Sequence, residues 1–588
     1  MFETHKERRK SKRSPVAAGL NPKAPNGKMH KKRKGETSTH HNFAEMLTVF
    51  LPSAQCFIIS CSVVRVFEQL PMVHGNVLCY NESTAVVLPY YTELLLRIGA
   101  VLLHLDVLII GAGVVGCALA RELSRYQARI AVLERMADVA EGASKANSGI
   151  VHAGFDAKPG TLKALLNVEG AKMYPDLCRE LGAPYTQPGA MVLGFTQEDM
   201  LTLKDLYEQG VANGVAGLKL LSGAEVLALE PNVNPQVKGA LLAETSGLTS
   251  PYELSFALSD HAAQNGAAFH METEVQRLYQ EGGVWHAVTG SGEYTARAVV
   301  NCAGTHSAKL HNMISDKKYT IVPRRGEYYL MDRMAHLPFS RTMFQCPTKM
   351  GKGILVSPTV HGNLLLGPSA EDIDDDADTA TTALGLKDVL EKARLTWKNA
   401  SPRGTITTFS GIRAHESNGD FVIGPVEGAP MAFEALGIES PGLSAAPAIA
   451  RLLGGQIVKV LDLREKSDFI AAIPRPKAFH AMSLAERAQA VLDNPENGSL
   501  VCRCEQVTEA EIREAIRRPV GARTIDGVKR RTRAGMGRCQ GGFCSPRVLS
   551  ILSEELGVPY TQVTKCGGDS RLLVGTIAES ALEVDLDD

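Results

Sequence analysis

The sequence predicts an α/β fold in which a Rossmann-like dinucleotide-binding unit opens near Leu105 and a separate small domain closes the C-terminal end. Three observations predict it. Asp106-Val-Leu-Ile-Ile110 is a short apolar run rich in branched residues, the composition of a fully buried parallel strand. It runs straight into Gly111-Ala-Gly113-Val-Val-Gly116, then a helical stretch (CALARELSRYQ), then a second apolar run, Arg129–Leu133, closed by Glu134. Far downstream, four cysteines crowd together: Cys502 and Cys504 as C-x-C, then Cys539 and Cys544 as C-x4-C, with 34 residues between the pairs.

Each part of the first unit has a physical task. Gly111 permits the tight turn, Gly113 lets the backbone approach a pyrophosphate, and Gly116 lets the helix pack on the strand. The helix N-terminus offers unpaired N–H groups to phosphate. Glu134, 18 residues after Gly116, is placed to accept hydrogen bonds from ribose hydroxyls. A lone G-x-G-x-x-G would say little, but here strand, helix, second strand and acid follow in the required order.

Composition bounds the rest. A chain of 588 residues is long enough for more than two domains, and 63 basic against 64 acidic residues argue against a global polyelectrolyte partner such as nucleic acid. The first 34 residues are different, carrying twelve Lys/Arg against two Glu, a composition that reads as disordered. The segments 46–67 and 86–104 are apolar but interrupted by Pro52, Gln55 and Arg65, and by Glu93 and Arg97; neither is the clean run a spanning helix needs. Residues 1–104 are therefore expected to be a poorly ordered basic and apolar extension without chemistry, as if translated from an upstream start.

The four C-terminal thiols suit a metal or an iron–sulfur cluster. Disulfides are disfavoured because the other eight cysteines stand singly along the chain. A zinc site stays open, although C-x-C is an awkward grip for one tetrahedral ion. Gly535, Gly537, Gly541 and Gly542 allow backbone N–H groups to approach the sulfurs. The run Lys529-Arg530-Arg531-Thr532-Arg533 is expected either to offset the charge of a tetrathiolate cluster or to form a solvated helix face.

LVCRCEQVTEAEI and RRTRAGMGRCQGGFCSPRV resemble the small helical [2Fe–2S] domain related to bacterioferritin-associated ferredoxin, in the form fused to the large subunit of anaerobic glycerol-3-phosphate dehydrogenase. The resemblance spans roughly residues 498–552, with 456–497 as a linker helix and loop and 553–588 as a tail; Thr564–Arg571 in that tail is glycine-rich and expected to touch phosphate or the flavin-binding domain. Residues 105–455 resemble FAD-dependent enzymes of the D-amino-acid-oxidase type, and among them the glycerol-3-phosphate oxidases and dehydrogenases. The matching segments are NSGIVHAGFDAKPGTLKALLNVEG, RRGEYYLMD, MGKGILVSPTVHGNLLLGPSAED, SGIRAHESNGDFVIGP and GIESPGLSAAPAIA. This resemblance implies an antiparallel-sheet substrate domain inserted in the FAD-binding domain. It implies FAD along Ser144, Asn147, Ser148 and Gly149, at Ala303 and Gly304, and at Gly442 and Leu443.

It also implies the site residues. His152 stands beside the flavin as the base that takes a hydroxyl proton, a task suited to the unperturbed pKa of histidine. Arg413 pairs bidentately with an anionic substrate, Lys352 adds a point charge and Ser440 donates a hydroxyl hydrogen bond. The stretch Ser440–Pro447 lacks the cations that larger glycerol-3-phosphate dehydrogenases carry in the corresponding region, which leaves a carboxylate substrate open.

FAD and a [2Fe–2S] cluster held by Cys502, Cys504, Cys539 and Cys544 together imply a dehydrogenase. Its expected reaction is sn-glycerol 3-phosphate to dihydroxyacetone phosphate, with electrons passed singly to partner subunits and on to quinone. The expected setting is the cytoplasm, peripheral to the inner face of the cell membrane through those partners. The alternatives are an L-2-hydroxyglutarate (2-hydroxyacid) dehydrogenase or oxidase on the same scaffold, and a non-catalytic redox sensor.

Overall fold

The computed structural model describes residues 104–334, 336–347, 353–473 and 475–575. The expected N-terminal extension lies outside these residues except for His104, and so does Lys352.

The strand Leu105–Ile110 lies at the centre of a parallel arrangement. On one side it pairs with Ile130–Leu133, which pairs in turn with Ala268–His270; on the other it pairs with Gly292–Asn301, all parallel. Gly292–Asn301 serves two neighbours. Its second half continues the parallel order to Ala432–Leu436, while its first half turns antiparallel against Val284–Thr289. Val107 and Ile109 are fully buried in the core, each contributing about 2 kcal/mol of apolar transfer. The helices Val114–Leu123, Pro251–Gln264 and Gly442–Leu461 bury their apolar faces in that same core.

A second sheet forms the expected substrate domain. Ile321–Met331 and Thr405–Glu416 pair antiparallel along nearly their whole length, and the remaining strands follow antiparallel with one exception. Thr342–Gln345 runs parallel to Ala190–Gly194, so the sheet is mixed rather than purely antiparallel. That pairing joins strands contributed by distant parts of the chain, which alternation within either strand cannot reveal. Gly326 faces Gly411 across the first of these pairs.

The C-terminal domain is helical apart from one short hairpin, Leu500–Cys502 with Val507–Thr508. Helices Glu509–Arg517, Ile525–Thr532 and Ser545–Leu556 enclose a core of Ile512, Ile516, Val528, Ile551 and Leu552 together with Cys502 and Cys544. Among the described residues, no helix is long and apolar enough to cross a membrane.

Candidate active site and cysteine centre

The nucleotide end is built by excluding side chains. Gly111 has φ +103°, and a Cβ there would stand 2.5 Å from the Cys302 carbonyl oxygen; a Cβ on Gly116 would stand 2.0 Å from the Gly111 carbonyl oxygen. Only glycine satisfies both positions. Gly113 occupies the N-cap of Val114–Leu123 without a capping side chain, and the Val114 N–H donates instead to Ser144 Oγ at 2.9 Å. Glu134 closes the turn from the side, accepting from the Ala112 N–H at 2.8 Å and the Met136 N–H at 2.9 Å. Burial raises the pKa of its carboxyl against the pull of these two donors.

Asn147 folds the following segment onto itself, donating to the carbonyls of Ala143 and Ser144 and accepting from the Gly149 N–H at 2.9 Å. Gly149 passes so close to Thr249 that a Cβ would meet its carbonyl oxygen at 2.5 Å. Gly304 has open space where its Cβ would lie. Gly111, Gly113, Glu134, Ser144, Asn147, Ser148, Gly149, Ala303, Gly304, Gly442 and Leu443 all line one cavity of about 1300 Å³, whereas Gly116 packs behind it. A dinucleotide fits this set: backbone N–H groups at a helix start, a carboxylate at the end of the second strand and glycines where backbone approaches.

His152, Arg413 and Ser440 line the same cavity. The His152 N–H donates to Ser444 Oγ at 2.8 Å, and its ring lies 5.7 Å from that of Phe344. Ser444 is itself fixed because Gly170, on a neighbouring helix, presses against its carbonyl, where a Cβ would stand 2.1 Å from the oxygen. Arg413 donates from Nη2 to the Ser369 carbonyl at 2.7 Å. Gly326 makes the room for it, since a Cβ there would lie 2.2 Å from that nitrogen. Opposite, Gly411 admits the backbone of Ala146, so the nucleotide-side segment crosses the sheet directly beside Arg413.

Sequence reasoning missed several lining residues. Tyr328 stacks on Phe409 with centroids 4.8 Å apart, and burial raises its pKa against the nearby Arg413 charge. Strand alternation from Arg324 and Gly326 would have placed Tyr328 on the cavity face. Lys163 pairs with Glu439 at 2.7 Å, and His415 joins the same carboxylate at 3.0 Å. Lys529, Met536 and Gln540 enter the cavity wall from the C-terminal domain, and no local signal announces that.

At the cysteine centre, Cys504 Sγ and Cys539 Sγ are 3.7 Å apart. Two thiolates bound tetrahedrally to one metal at about 2.3 Å would lie about 3.8 Å apart. Cys502 and Cys544 form the other pair, both buried; the Cys544 thiol donating to Cys502 takes the Cys502 thiol down to about 6, against burial. Backbone N–H groups of Gly535 and Glu505 point at Cys502, and those of Phe543 and Gly541 at Cys539. Two thiol pairs with amide donors aimed at sulfur suit a two-iron cluster. Among the described residues, no group of three or more His, Cys, Asp or Glu side chains is placed to hold a single metal ion.

The basic run beside this centre is not the solvated helix face that is one of its two expected roles. Arg530, Arg531 and Arg533 are buried rather than solvated, and each is paired with a carboxylate. Arg531 grips Asp138 through both nitrogens at 2.6 and 2.7 Å and lies over the Phe256 ring at 3.9 Å. Arg530 bonds Glu141, and Arg533 bonds Glu505 at 2.8 Å and Asn363 at 3.2 Å. Burial works against ionised Asp138, but Arg531 and Arg530 hold its pKa below the usual carboxylate value. The run is thus the seam between the domains. The glycine-rich tail reinforces it, Gly567 packing on Ala137 and the Gly568 N–H facing Glu272.

Residues 106–455 match the family model for FAD dependent oxidoreductases, and residues 500–554 that for the BFD-like [2Fe-2S] binding domain. A glycerol 3-phosphate dehydrogenase of Caloramator mitchellensis is 46% identical over 474 residues, covering 80% of this chain and 98% of that protein. An L-2-hydroxyglutarate dehydrogenase of Homo sapiens is 30% identical over 284 residues, covering 45% of this chain and 60% of that protein. The solved structure of L-alpha-glycerophosphate oxidase from Mycoplasma pneumoniae with FAD bound superposes with a TM-score of 0.61 at 30% identity, covering 64% of this chain and 100% of that one.

Proposed function

The chain belongs to the FAD-dependent oxidoreductase family and carries a BFD-like [2Fe-2S] domain, and from that premise we propose that it oxidises sn-glycerol 3-phosphate to dihydroxyacetone phosphate and releases the electrons one at a time. The observation that carries this reading is that the dinucleotide cradle, His152, Arg413 and the loop bearing Met536 and Gln540 all wall one cavity. Bound FAD supplies a hydride acceptor there, and a bound [2Fe–2S] cluster supplies a one-electron exit. The substrate loses two electrons and two protons in all.

His152 takes the hydroxyl proton at its imidazole. The Ser444 hydroxyl holds its backbone, and the ring lies beside that of Phe344, which places the base at the cavity wall before substrate arrives. Arg413 receives the substrate phosphate on the N–H groups that Ser369 leaves available. Ser440 adds a hydroxyl contact, and Lys352 a further charge. The relatives named for glycerol 3-phosphate support the phosphate reading.

Electrons leave for partner acceptor subunits and thence quinone, on the cytoplasmic face of a membrane. Free thiols at every described cysteine suit a reducing compartment. The L-2-hydroxyglutarate reading is favoured by the relatives of that name, which cover less of the chain.

Anaerobic stopped-flow bleaching of the bound flavin separates the two readings. Glycerol 3-phosphate is expected to bleach it and L-2-hydroxyglutarate to leave it oxidised; the reverse result rejects the proposal. His152→Ala should slow bleaching while FAD stays bound, and loss of FAD instead would make the histidine structural.

A further inference from the structure

The four thiols of the cysteine centre do not face the same way. Cys502 and Cys544 are buried, while Cys504 is exposed and Cys539 partly so. The loop between them has two faces. Met536 and Gln540 line the flavin cavity, whereas Gly542 and Phe543, on the far side of Cys539, face solvent. The centre therefore has an inner edge against the cavity and an outer edge against water.

The outer edge has the composition of a docking face. Phe543 is 87% exposed. Isolated exposed apolar residues are ordinary, but this one stands between Gly542 and Cys544, where the service to the Cys539 sulfur comes from its backbone N–H and asks nothing of the ring. The charges on the flanking segments are unequally exposed, and the arginines stand further out than the carboxylates. Arg503 is exposed beside Cys504, and Arg538 is 82% exposed beside Cys539 while bonded to Asp332 at 2.6 Å. The nearby carboxylate Glu505 is turned inward, 4% exposed between Arg333 and Arg533. Phe543 and the two arginines sit on the segments that carry Cys539 and Cys504, whose sulfurs are 3.7 Å apart; an exposed aromatic side chain with exposed guanidinium groups on the same segments is the residue chemistry of a binding hot spot, and the exposed positive charge selects an acidic partner.

Resting on the function proposed above, we infer that Phe543, Arg503 and Arg538 form the docking face for an acidic one-electron carrier protein. Charge complementarity steers the carrier to the exposed sulfur edge, where each encounter removes one electron. One substrate molecule then reduces two carriers and releases two protons: glycerol 3-phosphate + 2 carrier(oxidised) → dihydroxyacetone phosphate + 2 carrier(reduced) + 2 H⁺.

The test uses the full-length holoenzyme with cytochrome b5, an acidic haem protein, as the probe and basic cytochrome c as the control. Binding is measured first with both proteins oxidised and no substrate present, so that affinity is read apart from turnover. Cytochrome b5 is expected to bind at low ionic strength and to dissociate as salt rises. Arg503→Glu and, separately, Phe543→Ser should each weaken that binding about tenfold, equivalent to about 1.4 kcal/mol. Arg503→Glu should keep the full amplitude of flavin and cluster bleaching by glycerol 3-phosphate and full turnover with phenazine methosulfate. Equal cytochrome b5 affinity in wild type and Arg503→Glu, or tighter binding of cytochrome c, overturns the docking face. So does reduction of a water-soluble quinone that depends on Phe543 while cytochrome b5 is indifferent to it. If glycerol 3-phosphate bleaches neither centre, the proposed reaction fails instead, and the binding data still decide the face.

Discussion

The nucleotide cradle and the seam beneath the C-terminal domain hold their partners by opposite means. The cradle works by omission: Gly111 and Gly116 leave out a Cβ so that backbone can meet backbone, Gly116 against nearby Gly111 and Gly111 against Cys302, although its signature from Leu105 to Glu134 is continuous in sequence. The seam works by burying charge, Arg531 reaching Asp138 across 393 positions of chain. The difference teaches where each region is fragile. A steric requirement fails at one atom and nothing restores it. A buried ion pair fails when one partner is lost, because the other is left charged and unpaired, and losing both together is far milder.

That asymmetry sets the largest expected effect. Arg531→Leu should destabilise the docked C-terminal domain by about 3 kcal/mol, because buried Asp138 loses its bidentate partner and keeps only Arg530 at 3.4 Å. Arg531→Leu with Asp138→Leu should regain most of that loss. Urea midpoints read by cluster absorbance check it; a double variant no better than the single would mean that the seam is held by shape and not by charge.

Next comes the cradle. Gly111→Ala places a methyl group 2.5 Å from a backbone carbonyl and asks alanine to hold φ +103°, a backbone cost on the order of 1–3 kcal/mol before any contact is counted. FAD retention after gel filtration should fall at least about tenfold, and no second-site partner should rescue it. Gly326→Ala sharpens the same contrast. Its Cβ would meet the end of the Arg413 side chain first and Pro368 Cβ at 2.9 Å, and not backbone, so the chain should fold and keep FAD while the KM for substrate rises about tenfold as the guanidinium is displaced. Loss of flavin in Gly326→Ala would show that this glycine too serves the cradle.

The same contrast explains what the sequence disclosed. The βαβ unit was legible because its requirements are local: a buried strand, a turn that tolerates no side chain and an acid at a fixed interval. The cysteines were legible as a set because few chemistries need four thiols so spaced. Arg530, Arg531 and Arg533 were misread because a basic helix looks the same in sequence whether it meets water or buried carboxylates; only the fold supplies Asp138 and Glu141. Tyr328 shares a strand face with Arg324 and Gly326 by alternation, but nothing in RRGEYYLMD alone says which face meets the cavity. Lys529, Met536 and Gln540 became cavity residues only once the seam was formed.

The smallest expected effect lies on the helix Pro251–Gln264, which carries the seam on one side through Phe256 and Asp260, the latter accepting from the Val520 N–H at 3.1 Å. His261, next in that helix, is fully buried, with Nε2 3.2 Å from the Ala471 carbonyl and its ring edge against Phe469. Burial foremost, with the Arg121 charge adding to it, takes its pKa down from the usual 6.5 to about 4. Between those values the unfolded chain binds a proton that the folded chain refuses, so stability should fall as pH drops from about 6.5 to about 4 and not change further on this account below that. His261→Gln keeps an amide donor for Ala471 and removes the titration. Urea midpoints at about pH 7 and about pH 5 should therefore separate for the wild type more than for the variant. An equal separation in both would take the acid sensitivity off His261, and it would not pass to Asp138, whose contribution is lost only below the ordinary carboxylate range.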